Sequence, residues 1–509
     1  MRKALKITNE TIDSIYSEWK VAEYPLFLKS CFMHKSSWEI MKFKLMGRIV
    51  AAYESKGRKP FVVSFLGSSV TAGHDNLFNL STPIVAGDMM RSSFHALDLD
   101  LDSRNVALGN NPCMPYDVCV KIFAGLDADI VHWEQNYFCD GSPLMEQFIR
   151  QSMYIPSRPI VVFSEANTGH WPEDQCKVGP HKLTATEQEL LQTDIYKVTT
   201  DLNKDEFKRA WSFVGSVDKK YHGAGIQTFQ HLKHTDYACL GPYIKTWMKG
   251  AASWHPSVIG HRLRAAHHAY FWLIVLRDAI TELTKLAAHR VLDAIAKDVD
   301  KHLNHYYPRL PAPVHSFPFL DDMQCFTDYE PRSIRNSSLK NQIVQGLAKK
   351  ESDPGWHVVI YENLVSKSLV QKSLKMGYHD FKHLVYGNSE SGPLSFFVSL
   401  PRPGPVFICQ TPGIWGSLPK GFKSLWETSP DMHFTFNVPF STATGASFAF
   451  KPASAAKVSF KHTKELDICI QLMGTSNDSN SDHFPPGHHV LTLLPKETTN
   501  IIIAWLMTA

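Results

Sequence analysis

A three-layer α/β domain with a parallel sheet covered on both faces, followed by an antiparallel β-sandwich-like module, is the architecture this sequence predicts. Three observations carry it. From residue 61 to about 282, apolar runs such as VVSFLG, DIVHWEQN and PIVVFSEAN alternate with helical stretches, the pattern of a parallel sheet. From residue 356 to 509 the texture changes to short alternating segments (HVVIYENL, LSFFVSL, HFTFNV, KVSFKH, LDICIQLM, HHVLTLL) separated by Gly, Pro, Asn and Ser. Between the two lies the proline-dense string YYPRLPAP at 306–313, a boundary signal. The expected division is a helical extension at 1–58, an α/β domain at 61–300, a linker at 301–330 and a β-rich domain at 331–509.

Taken in order, residues 1–58 are charged and helical in pattern (MRKALKITNETIDSIYSEWK, then SSWEIMKFKLMGRIVAAYESKG) and are expected to pack on the α/β domain. The run FVVSFLG at 61–67 has the nearly unbroken apolar character of a strand buried on both faces. It runs into a small-residue turn, with Ser69 at the apex and Gly67 and Gly73 bracketing it. The chain therefore delivers Ser69 to the C-terminal edge of a sheet, where ligands bind in open α/β folds. The plainer reading of such a serine is a helix N-cap.

Downstream, Ser253-Trp254-His255-Pro256-Ser257 places a histidine on a loop before a long apolar-patterned helix, with Pro256 at the helix's first turn. A serine hydroxyl needs a base to take its proton, and His255 is placed to be that base. The helix is expected over about 258–300. His267 and His268 fall on adjacent faces of it and read as packing or surface residues, because one metal needs an i, i+4 pair. The stretch from Asp174 to His234 is long for a crossover and is expected as helices or a cap over the site mouth. In the β-rich part, Trp356, Trp415 and Trp426 either stack on sugar rings or fill the core. The loop Thr475–Asp482 lacks the Glu and Gly of a calcium loop and reads as a solvated hairpin.

The strings LGSSVTAG and HPSVIGHRL resemble blocks I and V of the SGNH (GDSL-like) hydrolase superfamily. The segments Asn105-Val106-Ala107-Leu108-Gly109-Asn110-Asn111 and Ala128-Asp129-Ile130-Val131-His132-Trp133-Glu134-Gln135-Asn136 resemble its blocks II and III. The resemblance covers about residues 61–280. It implies an SGNH-hydrolase-like three-layer fold and a serine esterase, with Ser69 as nucleophile and His255 as general base. The Ser69 N–H, the backbone of Gly109 and the side chain of Asn136 are the implied oxyanion donors, with Asn110 an almost equal fit to the Gly109 role. Two departures stand out. The family's usual Gly before the block III Asn is missing, and Ala252 occupies the position where the family carries the Asp that orients the imidazole. The resemblance then implies a Ser-His dyad, or an acid from another loop: Glu134 first, with Asp75 and Glu165 as alternatives. His261 in this pattern is structural. The implied substrate is an O-acetyl group on a carbohydrate or another small ester, with no cofactor and no metal. The second reading is a degenerate site acting as a glycan-binding or scaffolding module.

Composition sets limits around this. The 509 residues are 44% hydrophobic and 12% aromatic, enough for two or three cores. With 53 basic against 49 acidic residues there is no field to attract nucleic acid or a membrane surface. The longest apolar run, AYFWLIVL, is too short to span a bilayer, and residues 1–45 show no continuous apolar signal segment. No oligomeric state follows. The nine cysteines include no Cys-x-x-Cys pair, so no zinc signature is present. Cys113 with Cys119 suits a local disulfide and Cys325 with Cys409 one in the C-terminal region, against free buried thiols as the alternative. The sequons at Asn9, Asn79, Asn336 and Asn477, these cysteines and the family resemblance point to the secretory pathway; a cytosolic setting is the alternative.

Overall fold

The computed structural model describes residues 1–19, 35–55, 57–73, 78–108, 117–134, 142–164, 225–229 and 258–306. Beyond these it describes residues 322–327, 329–330, 357–360, 381–391, 394–400, 406–409, 433–437, 448–452, 469–474, 487–494, 501–503 and 505–508. The chain divides into two compact units. Unit one comprises residues 1–111, 123–316 and 375–378, and unit two residues 112–122, 317–374 and 379–509.

Unit one is built on a five-stranded parallel sheet of order β2-β1-β3-β4-β5, from β1 (Lys59–Gly67), β2 (Leu99–Asn105), β3 (Ile130–Glu134), β4 (Ile160–Ser164) and β5 (Gly225–Phe229). β1 is an interior strand, between β2 and β3, and is buried from Phe61 to Gly67, as its unbroken apolar run requires. β2 lies at the sheet's edge and alternates instead: Leu99 and Leu101 face inward, while Asp100 and Asp102 face solvent.

Helices cover both faces. On one side, α1 (Arg2–Trp19), α2 (Lys35–Ser55), α4 (Thr82–His95), α7 (Val258–Ala287) and α8 (Leu292–Tyr306) share a core with Phe61, Val63 and Phe65 of β1. α7 packs against α1, α2 and α4 and is buried all round from Arg264 to Leu276, the pattern of a helix enclosed by neighbours. On the other side lie α5 (Val120–Ala124) and α6 (Ser142–Met153). Ser64 Oγ donates to the Ala124 carbonyl at 2.7 Å, and Trp133 packs on Phe148 with ring centroids 4.3 Å apart. This is a three-layer α/β arrangement.

The N-terminal helices are integral to it. Arg48 and Lys44 of α2 reach Asp129, at the start of β3, at 2.7 and 3.3 Å. Among the described residues no helix is long and apolar enough to cross a membrane.

In unit two, β6 (Gln324–Thr327) lies within the stretch read as linker and forms the edge of an eight-stranded sheet, order β10-β15-β12-β13-β14-β11-β17-β6. Its other strands are β10 (Leu394–Leu400), β11 (Val406–Cys409), β12 (His433–Asn437), β13 (Phe448–Pro452), β14 (Cys469–Gly474), β15 (Gly487–Leu494) and β17 (Trp505–Thr508). Every pairing in it is antiparallel. A smaller antiparallel sheet joins β7 (Tyr329–Glu330), β8 (His357–Ile360), β9 (Phe381–Gly387) and β16 (Ile501–Ile503). The disulfide differs from the expected pairings: Cys119 bonds Cys325, not Cys113, across a sequence separation of 206. Spacing cannot fix connectivity, and here it ties the excursion 112–122 to β6 within unit two. Cys113 lies outside the described residues.

Candidate active site

Ser69 sits where the sequence places it. β1 ends at Gly67, Ser68 caps in extended conformation, and Ser69 begins α3 (Ser69–Ala72), a single helical turn that ends at Gly73. Gly73 adopts φ 87°, the left-handed conformation that lets its N–H reach back to the carbonyls of Ser69 and Val70. Ser69 itself is half-buried just beyond the C-terminal end of β1, while Ser68, Val70, Thr71 and Ala72 beside it are buried.

A buried polar network lies beneath this turn. Asn105, the last residue of β2, donates from Nδ2 to the carbonyls of Thr71 and Ala72 at 3.3 and 3.1 Å and to Ser81 Oγ at 3.0 Å. His261 holds the start of α4: its Nδ1 accepts the Thr82 N–H at 3.2 Å and lies 2.9 Å from Thr82 Oγ1. That agrees with a structural role for His261.

The centre of the network is Glu134. It ends β3 directly opposite Gly67 in the β1–β3 register, and it is fully buried. Its Oε2 accepts the Thr71 hydroxyl at 2.8 Å and lies 3.4 Å from Arg264 Nη2, while Oε1 lies 2.8 Å from His268 Nε2. Burial alone would raise the Glu134 pKa. The charge and hydrogen bond of His268, with the charges of Arg264 and His132, outweigh it and hold the carboxyl well below the usual carboxylate range. Two residues earlier on the same face of β3, His132 stacks on Phe65 with centroids 4.2 Å apart and accepts the Trp272 indole N–H on Nε2 at 3.1 Å. Burial, then the charge of His268, holds His132 well below the usual histidine range, with Glu134 opposing.

His132, Glu134 and His268 offer donor atoms within 4.8 Å of one another, a spacing that a metal ion could use. The guanidinium of Arg264 already faces the same carboxylate, so the charge this acid needs is supplied by the protein. Arg264 carries no motif of its own, and the neighbouring His267 hides the pairing of His268. The informative pair was Arg264 and His268, at i and i+4 on one face of α7, opposite an acid on β3.

His255, Gly109, Asn110 and Asn136 lie outside the described residues. So do Ala252, Asp75 and Glu165, the cap region apart from β5, Trp356, Trp415, Trp426 and the 475–482 loop.

No protein-family model and no curated protein matches the chain. Solved structures similar to it include a two-domain esterase active on acetylated mannans, at 10% identity over 90% of this chain and 94% of that one, with a TM-score of 0.34. A GDSL-like lipase from Parabacteroides merdae aligns at 13% identity over 43% of this chain and 97% of its own, TM-score 0.25. A carbohydrate acetylesterase from Sinorhizobium meliloti aligns at 12% identity over 43% of this chain and 99% of its own, TM-score 0.23.

Proposed function

We propose that this protein is a serine ester hydrolase of the SGNH type. The observation that carries the proposal is the placement of Ser69: a half-buried residue on a one-turn helix at the C-terminal end of the interior strand β1, backed by a buried carboxylate that also grips α7, the helix just after His255. In the proposed reaction Ser69 Oγ attacks the ester carbonyl carbon while the His255 imidazole takes the hydroxyl proton. The Ser69 N–H, with Gly109 or Asn110 and the Asn136 amide, holds the oxyanion. The tetrahedral intermediate collapses with loss of the alcohol, which leaves with the proton from His255. Water, deprotonated by His255, then attacks the acyl-serine and releases the carboxylic acid and free Ser69. With Ala252 at the usual acid position, the site works as a dyad, slower than a full triad.

The substrate class is an O-acetylated carbohydrate or another small acyl ester. The C-terminal strands are proposed to form a sandwich that binds a polymeric substrate. The test is turnover of p-nitrophenyl acetate by wild type, Ser69→Ala and His255→Ala, with labelling by a fluorophosphonate probe. Turnover and labelling in wild type, both lost in Ser69→Ala, are expected. Equal background rates in all three proteins with no labelling would defeat the enzyme and favour the glycan-binding reading that Ala252 suggests.

A further inference from the structure

We propose that Thr71 and Glu134 are positioning residues that pin the nucleophile turn to the helix following the general base. This rests on the esterase reading above and adds to it how the two catalytic elements are held in register.

A turn of four residues cannot hold itself. α3 has the Ala72 N–H to Ser68 carbonyl bond at 2.9 Å and the Gly73 closure at 3.2 Å, and isolated helical segments this short are unstable. Its orientation has to come from outside. Asn105 fixes the carbonyl end. The other hold is the Thr71 side chain, fully buried, whose hydroxyl passes over the bare face of Gly67 to reach Glu134. A Cβ on residue 67 would lie 2.3 Å from Thr71 Oγ1, so glycine at the end of β1 is what leaves room for this route. Gly67 and Glu134 are register partners, so the bond spans the shortest path between β3 and the turn.

On its far side the same carboxylate is held by Arg264 and His268, one helical turn apart on α7. α7 begins at Val258, directly after the His255-Pro256-Ser257 string. One buried anion therefore touches the element that carries the nucleophile and the element that follows the base. Proton transfer from Ser69 to His255 depends on a hydrogen-bond distance between them, and small misplacements of such pairs cost large factors in rate. With Ala252 supplying no carboxylate, the imidazole depends the more on how its chain is held. Glu134 fits that need by acting on α7 and the turn together.

The test uses the full chain with Thr71→Val, which keeps the volume and removes the hydroxyl, and Thr71→Ser, which restores it. Three readouts are taken: kcat and KM on p-nitrophenyl acetate, the rate of fluorophosphonate labelling, and amide hydrogen exchange of residues 68–73. Thr71→Val is expected to lower kcat and labelling by on the order of tenfold or more with KM within about twofold, and to speed exchange in 68–73. Thr71→Ser should recover most of each. Glu134→Asp keeps the charge opposite Arg264 but draws the carboxylate back from the turn, so it should reproduce the Val phenotype even if Thr71→Val does not fold. Wild-type kcat and unchanged exchange in a folded Thr71→Val, or a folded Thr71→Ser no better than Val, would overturn the pin. Absence of turnover and labelling in wild type itself would instead defeat the esterase reading, and the exchange measurement would still decide whether Glu134 fastens the turn.

Discussion

Strand β3 carries a buried acid at each end, and the two are held in different ways. Asp129, just before the strand, accepts the Val62 N–H on Oδ2 at 3.1 Å and meets Arg48 and Lys44 of α2 on Oδ1. Lys44 also donates to the carbonyls of Ser157 and Arg158, and the Asp129 backbone bonds to β1 and β4. Glu134, at the other end, faces Arg264 and His268, but its third partner is the Thr71 hydroxyl beneath Ser69. At the N-terminal end the anion is fixed to the strand backbone and stitches a surface helix to the sheet. At the C-terminal end it is fixed to a buried side chain on a one-turn helix, and the proposal above makes its position govern where that helix sits. The same chemistry serves architecture at one end and the candidate site at the other, as expected where ligands bind beyond the carboxyl ends of parallel strands.

The largest effect should come from neutralising each acid in turn. Asp129→Asn and Glu134→Gln each leave cations facing a neutral group in a buried place, a change that typically costs about 3–5 kcal/mol. Urea unfolding should show losses of that order for both. Activity should separate them. Glu134→Gln is expected to reduce kcat/KM by about a hundredfold beyond any loss of folded protein, whereas folded Asp129→Asn keeps the wild-type value. A comparable fall in kcat in Asp129→Asn would erase the distinction between the two ends.

How much of this the sequence disclosed depends on the kind of signal. β1, β3 and β4 announce themselves as continuous apolar runs because both faces of a central parallel strand are covered. β2 was not singled out, because as an edge strand it alternates Leu with Asp and has no such run. Ser69 at a strand-to-turn apex was legible, since Gly67 and Gly73 mark the turn. Thr71 was not, because its role is set by a register partner on another strand. Arg264 and His268 were written at helical spacing, yet only the fold says that the face they share meets Glu134 and not solvent or lipid-like core. The Cys119–Cys325 bond joins residues that no local spacing connects.

The pH response should sharpen the comparison, because the two ends titrate in different windows. Glu134 and His132 both have pKa values held below their ordinary ones, so the folded state binds fewer protons than the unfolded state. Stability from each is therefore lost as pH falls. For His132 the loss begins near its unfolded value of about 6.5, and for Glu134 it begins near about 4.3 and continues through its folded value. Each group sets a slope of up to about 1.4 kcal/mol per pH unit. At the Asp129 end the shifted group is Lys44, lowered by burial, with Arg48 and Arg158 adding to it and Asp129 opposing. Its window lies below the ordinary lysine value, and there too stability rises with pH, because the folded lysine gives up a proton that the unfolded one still holds. Urea unfolding between pH 5 and 7 should show a positive slope that His132→Asn flattens. A slope unchanged in His132→Asn would mean that another group governs the acid side.

The smallest expected effect tests whether the N-terminal acid is held redundantly. Arg48 Nε lies 2.7 Å from Asp129 Oδ1, but the Arg48 side chain is 33% exposed, while Lys44 remains beside the same oxygen and the Val62 N–H on the other. A charge-assisted hydrogen bond is worth about 1.5–3 kcal/mol when fully shielded, and partial exposure discounts it toward the range of surface pairs. Arg48→Ala should therefore cost about 1 kcal/mol in urea unfolding, with kcat/KM unchanged. Arg264, 4% exposed, has no such relief from solvent at the other end. Arg264→Met leaves Glu134 with Thr71 and His268 in a dry environment and should cost several times more, with a fall in kcat that Arg48→Ala does not share. If the two arginine substitutions cost the same and leave kcat alike, the cations at the two ends of β3 are equivalent and the distinction between a structural and a site-positioning acid fails.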